Sequence, residues 1–130
     1  MCCPRWLHCG NVQRGPDFLI YWEGRDLAEN GEYDAALEIL KTAANPNDPR
    51  ILNYMGFATR KLGDPQAALV FYEAALANDP NYVQAISYMG EAFIALGDLD
   101  RAQTQLKKIA AHCGTNCEAY TSLEAVLELQ

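Results

Sequence analysis

One spacing limits what this chain can become. Gly63 and Gly97 lie 34 residues apart, as do Gly56 and Gly90, Tyr54 and Tyr88, Met55 and Met89, and Ala68 and Ala102. The preceding interval is 32 residues and joins Gly24 to Gly56, Gly31 to Gly63 and Ala36 to Ala68. A period of this length, with each copy carrying two helix-length apolar patterns, predicts stacked helix pairs. A single pair cannot bury its own apolar face, so neighbouring copies must cover it.

The local signals agree. Over 53–62 the apolar residues Tyr54, Met55, Phe57, Ala58 and Leu62 recur at three- and four-residue intervals, an amphipathic helix. Gly63 suits the left-handed residue that ends it. Asp64 is placed to cap the next helix and Pro65 to open it, where no backbone N–H is needed. Ala67, Ala68, Phe71, Tyr72 and Ala75 give that second helix its apolar stripe. The two missing residues of the first interval fall at 42–49, TAANPNDP, where Pro46 is expected to truncate a helix. Gly24, Gly56 and Gly90 sit in mid-helix, where glycine costs about 1 kcal/mol against alanine. Close helix approach explains them, with Gly56 expected against Ala68 and Gly90 against Ala102. Thr115 followed by Glu118 reads as a capping box for a last helix whose polar outer face closes the stack.

On these residues the chain resembles the tetratricopeptide-repeat (TPR) family. The motif residues are Gly24, Leu27, Gly31, Tyr33 and Ala36 in one copy, Met55, Gly56, Gly63, Ala68, Tyr72, Ala75 and Pro80 in the next, and Met89, Gly90, Phe93, Gly97 and Ala102 in the third. Thr59, Ile109 and Gly114 depart from the family pattern. The resemblance implies an all-α, right-handed α–α superhelix. It would comprise three repeats at 17–48, 49–82 and 83–116, a capping helix at 117–130 and a flexible tail at 1–16. It also implies a concave face lined by the first helix of each repeat, with Tyr21, Trp22 and Arg25, then Asn53, Tyr54, Phe57, Arg60 and Lys61, then Ser87, Tyr88 and Glu91 turned toward a ligand. Aromatic and arginine side chains dominate binding energy at interfaces; the alternative for the aromatics is packing between neighbouring helices. With Arg25, Arg50, Arg60 and Lys61 gathered there, the groove is expected to favour a peptide with a carboxylate or acidic side chain; the alternative is a solvated face with scattered charge. TPR domains that hold heat-shock chaperone tails use a Lys/Asn/Asn/Lys/Arg clamp. Its matching positions here are Tyr21, Arg25, Tyr54, Gln84 and Tyr88, so a chaperone-tail adaptor is disfavoured.

Composition narrows the function further. The net charge is −7, from 17 acidic and 10 basic residues, which argues against binding nucleic acid through its phosphates. No apolar run is long enough to span a bilayer. As written the chain reads as cytoplasmic, because MCCPRWLHCGNVQRG has no apolar signal segment; a true start further upstream would make it periplasmic. No glycine-rich phosphate loop, catalytic dyad, metal set or cofactor motif is visible. The expectation is therefore a non-catalytic adaptor that binds a protein or peptide. The alternatives are a self-associating homo-oligomeric scaffold, through repeat edges, the Trp6-Leu7 pair or the convex face, and a thiol module.

The five cysteines bear on that last alternative. Cys113 and Cys117 flank a turn, and a structural disulfide, free thiols, and a metal or redox role all remain open for them. The segment CGxxCExY, carried by Cys113, Gly114, Cys117 and Tyr120, is similar to the closing segment of a group of small proteobacterial TPR proteins, many of them exported. Cys2, Cys3, His8 and Cys9 read as tail sequence without a role, and stacking of seven helices would hold them on the order of 30 Å from Cys113.

Overall fold

The structure, a computed structural model, describes residues 15–130. These form seven helices and no strand: α1 (Phe18–Glu29), α2 (Tyr33–Leu40), α3 (Pro49–Lys61), α4 (Pro65–Asn78), α5 (Val83–Ala95), α6 (Leu99–Cys113) and α7 (Glu118–Glu128). Cys2, Cys3, His8, Cys9, the Trp6-Leu7 pair and most of the predicted tail lie outside the described residues.

Short-range chemistry sets the helix ends. The Asp64 carboxylate accepts from the Ala67 N–H at 3.0 Å, and Asp98 does the same for Arg101 at 3.1 Å. Asp48 accepts from Arg50 at 2.9 Å. Pro49 and Pro65 occupy first positions, where their fixed φ fits the helix and the missing donor is not needed. Gly63 adopts φ 101°, a left-handed conformation that reverses the chain between α3 and α4.

The helices form two rows of different tightness. α1 touches α3, α3 touches α5, and α5 touches α7, giving a continuous inner row. No Cα of α2 comes within 8 Å of α4, and none of α4 within 8 Å of α6. A stack closed along one row and splayed along the other must curve, with the tight row on its concave side. α7 stands where the first helix of a further pair would stand.

Each mid-helix glycine is a contact point, and the atoms nearest it are not those of the alanines. A Cβ on Gly24 would lie 2.5 Å from Leu40 Cγ, and one on Gly56 would lie 2.6 Å from the Tyr72 ring. On Gly90 it would meet Leu123 Cδ1 at 2.8 Å. The expected pairing of Gly56 with Ala68 and Gly90 with Ala102 is thus corrected. The alanines are fully buried, while a large side chain one turn further along the helix covers each of the first two glycines. For Gly90 the cover comes from α7.

Two other expectations change. α2 ends at Leu40, well before Pro46. Asp17, itself 5% exposed, reaches across the turn and accepts from the Ala44 and Asn45 N–H groups at 2.7 and 2.8 Å. That carboxylate supplies loop donors with the partner that continued helix would otherwise provide. The capping box does not form either: the residue preceding α7 is Cys117, without a side-chain cap bond, and Thr115 is exposed. The turn held by Cys113 and Cys117 starts the helix too late for Thr115 to reach it.

Candidate functional site

The concave surface divides into a filled half and an open half. Between α1 and α3 the rings crowd together. Tyr21 meets Trp22 and Tyr54 with ring centroids 5.1 and 6.0 Å apart, and Tyr54 meets Phe57 at 5.8 Å. Phe57 meets Tyr88 of α5 at 5.3 Å. Cations lie over the edges of this layer: Arg25 over Trp22 at 5.2 Å, Arg50 over Tyr21 at 4.8 Å and Lys61 over Phe57 at 5.6 Å. Such contacts are worth about 0.5–1 kcal/mol at exposed sites.

Beyond Tyr88 the residues become small and polar, and a basin of about 640 Å³ opens. Arg25 and Glu29 of α1 form one bank, and Val83, Gln84, Ser87 and Tyr88 of α5 form the floor. The opposite bank is the α6–α7 turn, with Cys113, Cys117, Glu118, Ala119 and Ser122. Curvature brings residues from both ends of the chain to one cavity. A volume in this range suits a ligand-binding cleft.

Three residues expected to face a ligand are turned inward instead. Tyr54 is 1% exposed, and its hydroxyl donates to Glu29 Oε2 at 2.8 Å. Asn53 is fully buried, and its Nδ2 donates to Gln84 Oε1 at 3.1 Å. Ser87, at 2% exposure, donates to the Ala119 carbonyl at 3.0 Å and so ties the floor to the far bank. Their polar atoms serve helix-to-helix contacts, because adjacent inner helices approach too closely to leave them in the open. Tyr21, Arg25, Phe57, Arg60, Tyr88 and Glu91 are half-buried, while Trp22 and Lys61 are exposed.

The expected basic character is also corrected. Arg25 lies 3.6 Å from Glu29 and from Asp26, Arg60 lies 3.5 Å from Glu91, and Arg50 pairs with Asp48 at 3.0 Å. Each arginine thus brings its own carboxylate, and Glu118 adds a further negative charge at the basin. Arg60 is close to buried, at 12% side-chain exposure. In Asp48, burial alone would raise the pKa; hydrogen bonds from Arg50 outweigh it and hold the carboxyl below its ordinary range.

The phenols are shifted the other way. Burial, then the bond to Glu29, pushes Tyr54 far above its usual pKa; Tyr72, Tyr82 and Tyr88 are raised chiefly by burial. All four remain neutral at neutral pH.

Glu29 was not singled out by the sequence, and Gln84 only as a position matching the chaperone-tail clamp. Gln84 Oε1 accepts from Asn53 and from the Tyr82 hydroxyl, while its Nε2 donates to Tyr88 Oη at 3.3 Å. It joins the inner wall of the basin into one network. Tyr82 and Tyr88 are near it in sequence, but Asn53 lies 31 residues away on α3, and no short-range pattern signals that link.

The tetratricopeptide-repeat family profile matches residues 60–127, slightly more than half of the chain. The chain belongs to the TPR family. An FK506-binding protein-like relative from Rattus norvegicus is 37% identical over 82 residues, which is 61% of this chain and 24% of that protein. The TPR chain thus spans about a quarter of the length of this curated relative. Among solved structures, the first TPR of Spaghetti (RPAP3) bound to the HSP90 peptide SRMEEVD superimposes with a TM-score of 0.74 at 23% identity, covering 85% of this chain and 90% of that one. PcrH in complex with the chaperone binding region of PopD gives 0.72 at 24% identity, covering 85% and 87%. At these identities the two structures establish the shared TPR fold.

Proposed function

We propose that this protein is a non-catalytic interaction adaptor that holds a peptide or a segment of a protein partner in the concave basin. The supporting observation is the basin itself: a cleft between Arg25, Gln84, Tyr88 and Ser122 on a fold whose solved relatives are seen with a peptide or a chaperone-binding region. Trp22, Phe57, Lys61 and Tyr88 extend the contact surface along the ring layer, and Tyr21, Arg60 and Glu91 back it. Asn53 and Tyr54 support the binding surface from behind, and Ser87 ties its floor to the far bank.

The ligand class follows from the charges. Because each arginine already has a carboxylate, a single acidic group gains little, and a ligand with mixed polar and apolar side chains fits better. The family clamp for chaperone tails has no counterpart at Tyr21, Tyr54, Gln84 and Tyr88, so likeness to the Spaghetti complex does not transfer its peptide. The closing segment around Cys113, Gly114, Cys117 and Tyr120 favours the small exported proteobacterial branch of the family as the protein's source.

The test is peptide display on the immobilised full chain, followed by calorimetric titration of a recovered peptide. Arg25→Ala combined with Tyr88→Ala is expected to weaken binding about ten-fold or more while helicity survives, since interface anchors are worth about 2 kcal/mol or more. Unchanged affinity, or no recovered peptide, overturns the reading.

A further inference from the structure

The cysteine pair on the far bank is not accounted for by peptide binding. Cys113 and Cys117 are joined as a disulfide, with Cα atoms 6.0 Å apart, and both line the basin. A stabilising role explains it poorly. The bridge spans a separation of only four residues, and cross-links stabilise least when the loop they close is short. α7 is already docked without it, through Leu123 against Gly90, through the Ser87 bond to Ala119, and through the cluster of Ile86, Leu106, Ile109 and Leu123.

The two sulfurs also have different surroundings. Cys113 is exposed at the end of α6, whereas Cys117 is half-buried, packed on the Ile86 cluster, and stands at the N-cap of α7. The unpaired N–H groups of a helix start favour a thiolate at that position. In exchange reactions, attack falls on the accessible sulfur, and the better-stabilised thiolate leaves.

We propose that the Cys113–Cys117 disulfide is a thiol-exchange site at the end of the basin, taking a cysteine presented by a segment bound there. An incoming thiol gives its proton to solvent, and its thiolate attacks Cys113 Sγ. A sulfur–sulfur bond forms between the ligand and Cys113. The Cys113–Cys117 bond breaks, and its electron pair departs with Cys117 Sγ as a thiolate at the α7 N-terminus. The incoming sulfur is oxidised and Cys117 is reduced, so no further oxidant is required. Return attack by Cys117 releases the ligand. The exchange chemistry is independent of the peptide-binding reading; delivery by a bound segment rests on it.

The experiment uses the full oxidised chain carrying Cys2→Ser, Cys3→Ser and Cys9→Ser. It is incubated with reduced glutathione, quenched with iodoacetamide and mapped by mass spectrometry. The expected product carries glutathione on Cys113 and the alkyl label on Cys117. Glutathione on Cys117 instead overturns the assignment. So does an intact bridge under conditions where the urea-unfolded chain exchanges fully. In a second arm, a display-selected peptide bearing one cysteine is compared with its scrambled version at equal thiol concentration. Exchange about ten-fold or more faster is expected for the selected peptide, because binding raises the effective concentration of its thiol. Equal rates overturn delivery by the groove. Titration with the cysteine-free peptide tells the two failures apart: if it binds, the peptide-binding reading stands and only delivery fails; if it does not, that reading fails and the glutathione arm still judges the exchange.

Discussion

Tyr54 and Tyr88 occupy the same place in successive repeats, yet they have opposite surroundings. Tyr54 is sealed between α1, α3 and α5, its hydroxyl committed to Glu29; Tyr88 stands at the border of an open basin. The difference comes from their neighbours. Around Tyr54 the inner row carries Tyr21, Trp22 and Phe57, which fill the concavity. Past Tyr88 it carries Ser87, Ala119 and Ser122, which leave space. Where a repeat fold opens a binding surface depends on side-chain volume along the inner helices more than on the repeat itself.

Truncating both tyrosines breaks that comparison most sharply. Tyr54→Ala is expected to cost about 3–5 kcal/mol in chemical denaturation, as removal of a large buried ring does. Tyr88→Ala should cost less and show its main loss in peptide affinity. Equal destabilisation would mean that the two halves are not different in kind.

Asp17→Ala comes next. It removes the charged acceptor of the Ala44 and Asn45 N–H groups, and hydrogen bonds to a charged group are worth about 1.5–3 kcal/mol. Hydrogen exchange should show the 41–48 loop opening first, with the α5–α7 half unaffected. Protection lost evenly along the chain would contradict this.

Alkaline titration gives a more graded effect. The phenols of buried Tyr54 and Tyr72 and half-buried Tyr82 and Tyr88 keep their protons above the ordinary tyrosine value of 10.0, while an unfolded chain releases them there. The unfolded state then binds fewer protons, so stability falls as pH rises past 10.0. Tyrosinate absorbance should rise together with loss of helicity. Tyrosinate forming well before unfolding would show that the ring layer is open.

The smallest stability change belongs to the open half. Ser122→Phe places a ring in the basin at an exposed position, so stability should stay within about 0.5 kcal/mol. Peptide affinity should nonetheless drop about ten-fold or more, the loss expected when a central contact is blocked. Retained affinity would place the ligand elsewhere.

The repeat period, the Gly63 turn and the aspartate caps were legible because each depends on residues a few positions apart. The glycines at 24, 56 and 90 announced close packing, but their covering side chains were misread. Tyr72 lies one helical turn beyond Ala68, the partner expected for Gly56, and Leu123, which covers Gly90 in place of Ala102, belongs to a different helix. Arg25, Ser87 and Tyr88 were singled out as groove residues and line the basin, whereas the basin's outline was not legible. Its banks are Arg25 and Glu29 at one end of the chain and Glu118 and Ser122 at the other, and only the accumulated curvature of the stack brings them together. Burial of Asn53, Tyr54 and Ser87 depends likewise on how closely neighbouring inner helices approach.

Amide chemical-shift mapping with a display-selected peptide tests the central claim most directly. The account predicts that the strongest perturbations cluster on Gln84, Tyr88, Ala119 and Ser122, with α2 and α4 silent. Perturbations centred on α2, α4 or the outer face of α6 would contradict it.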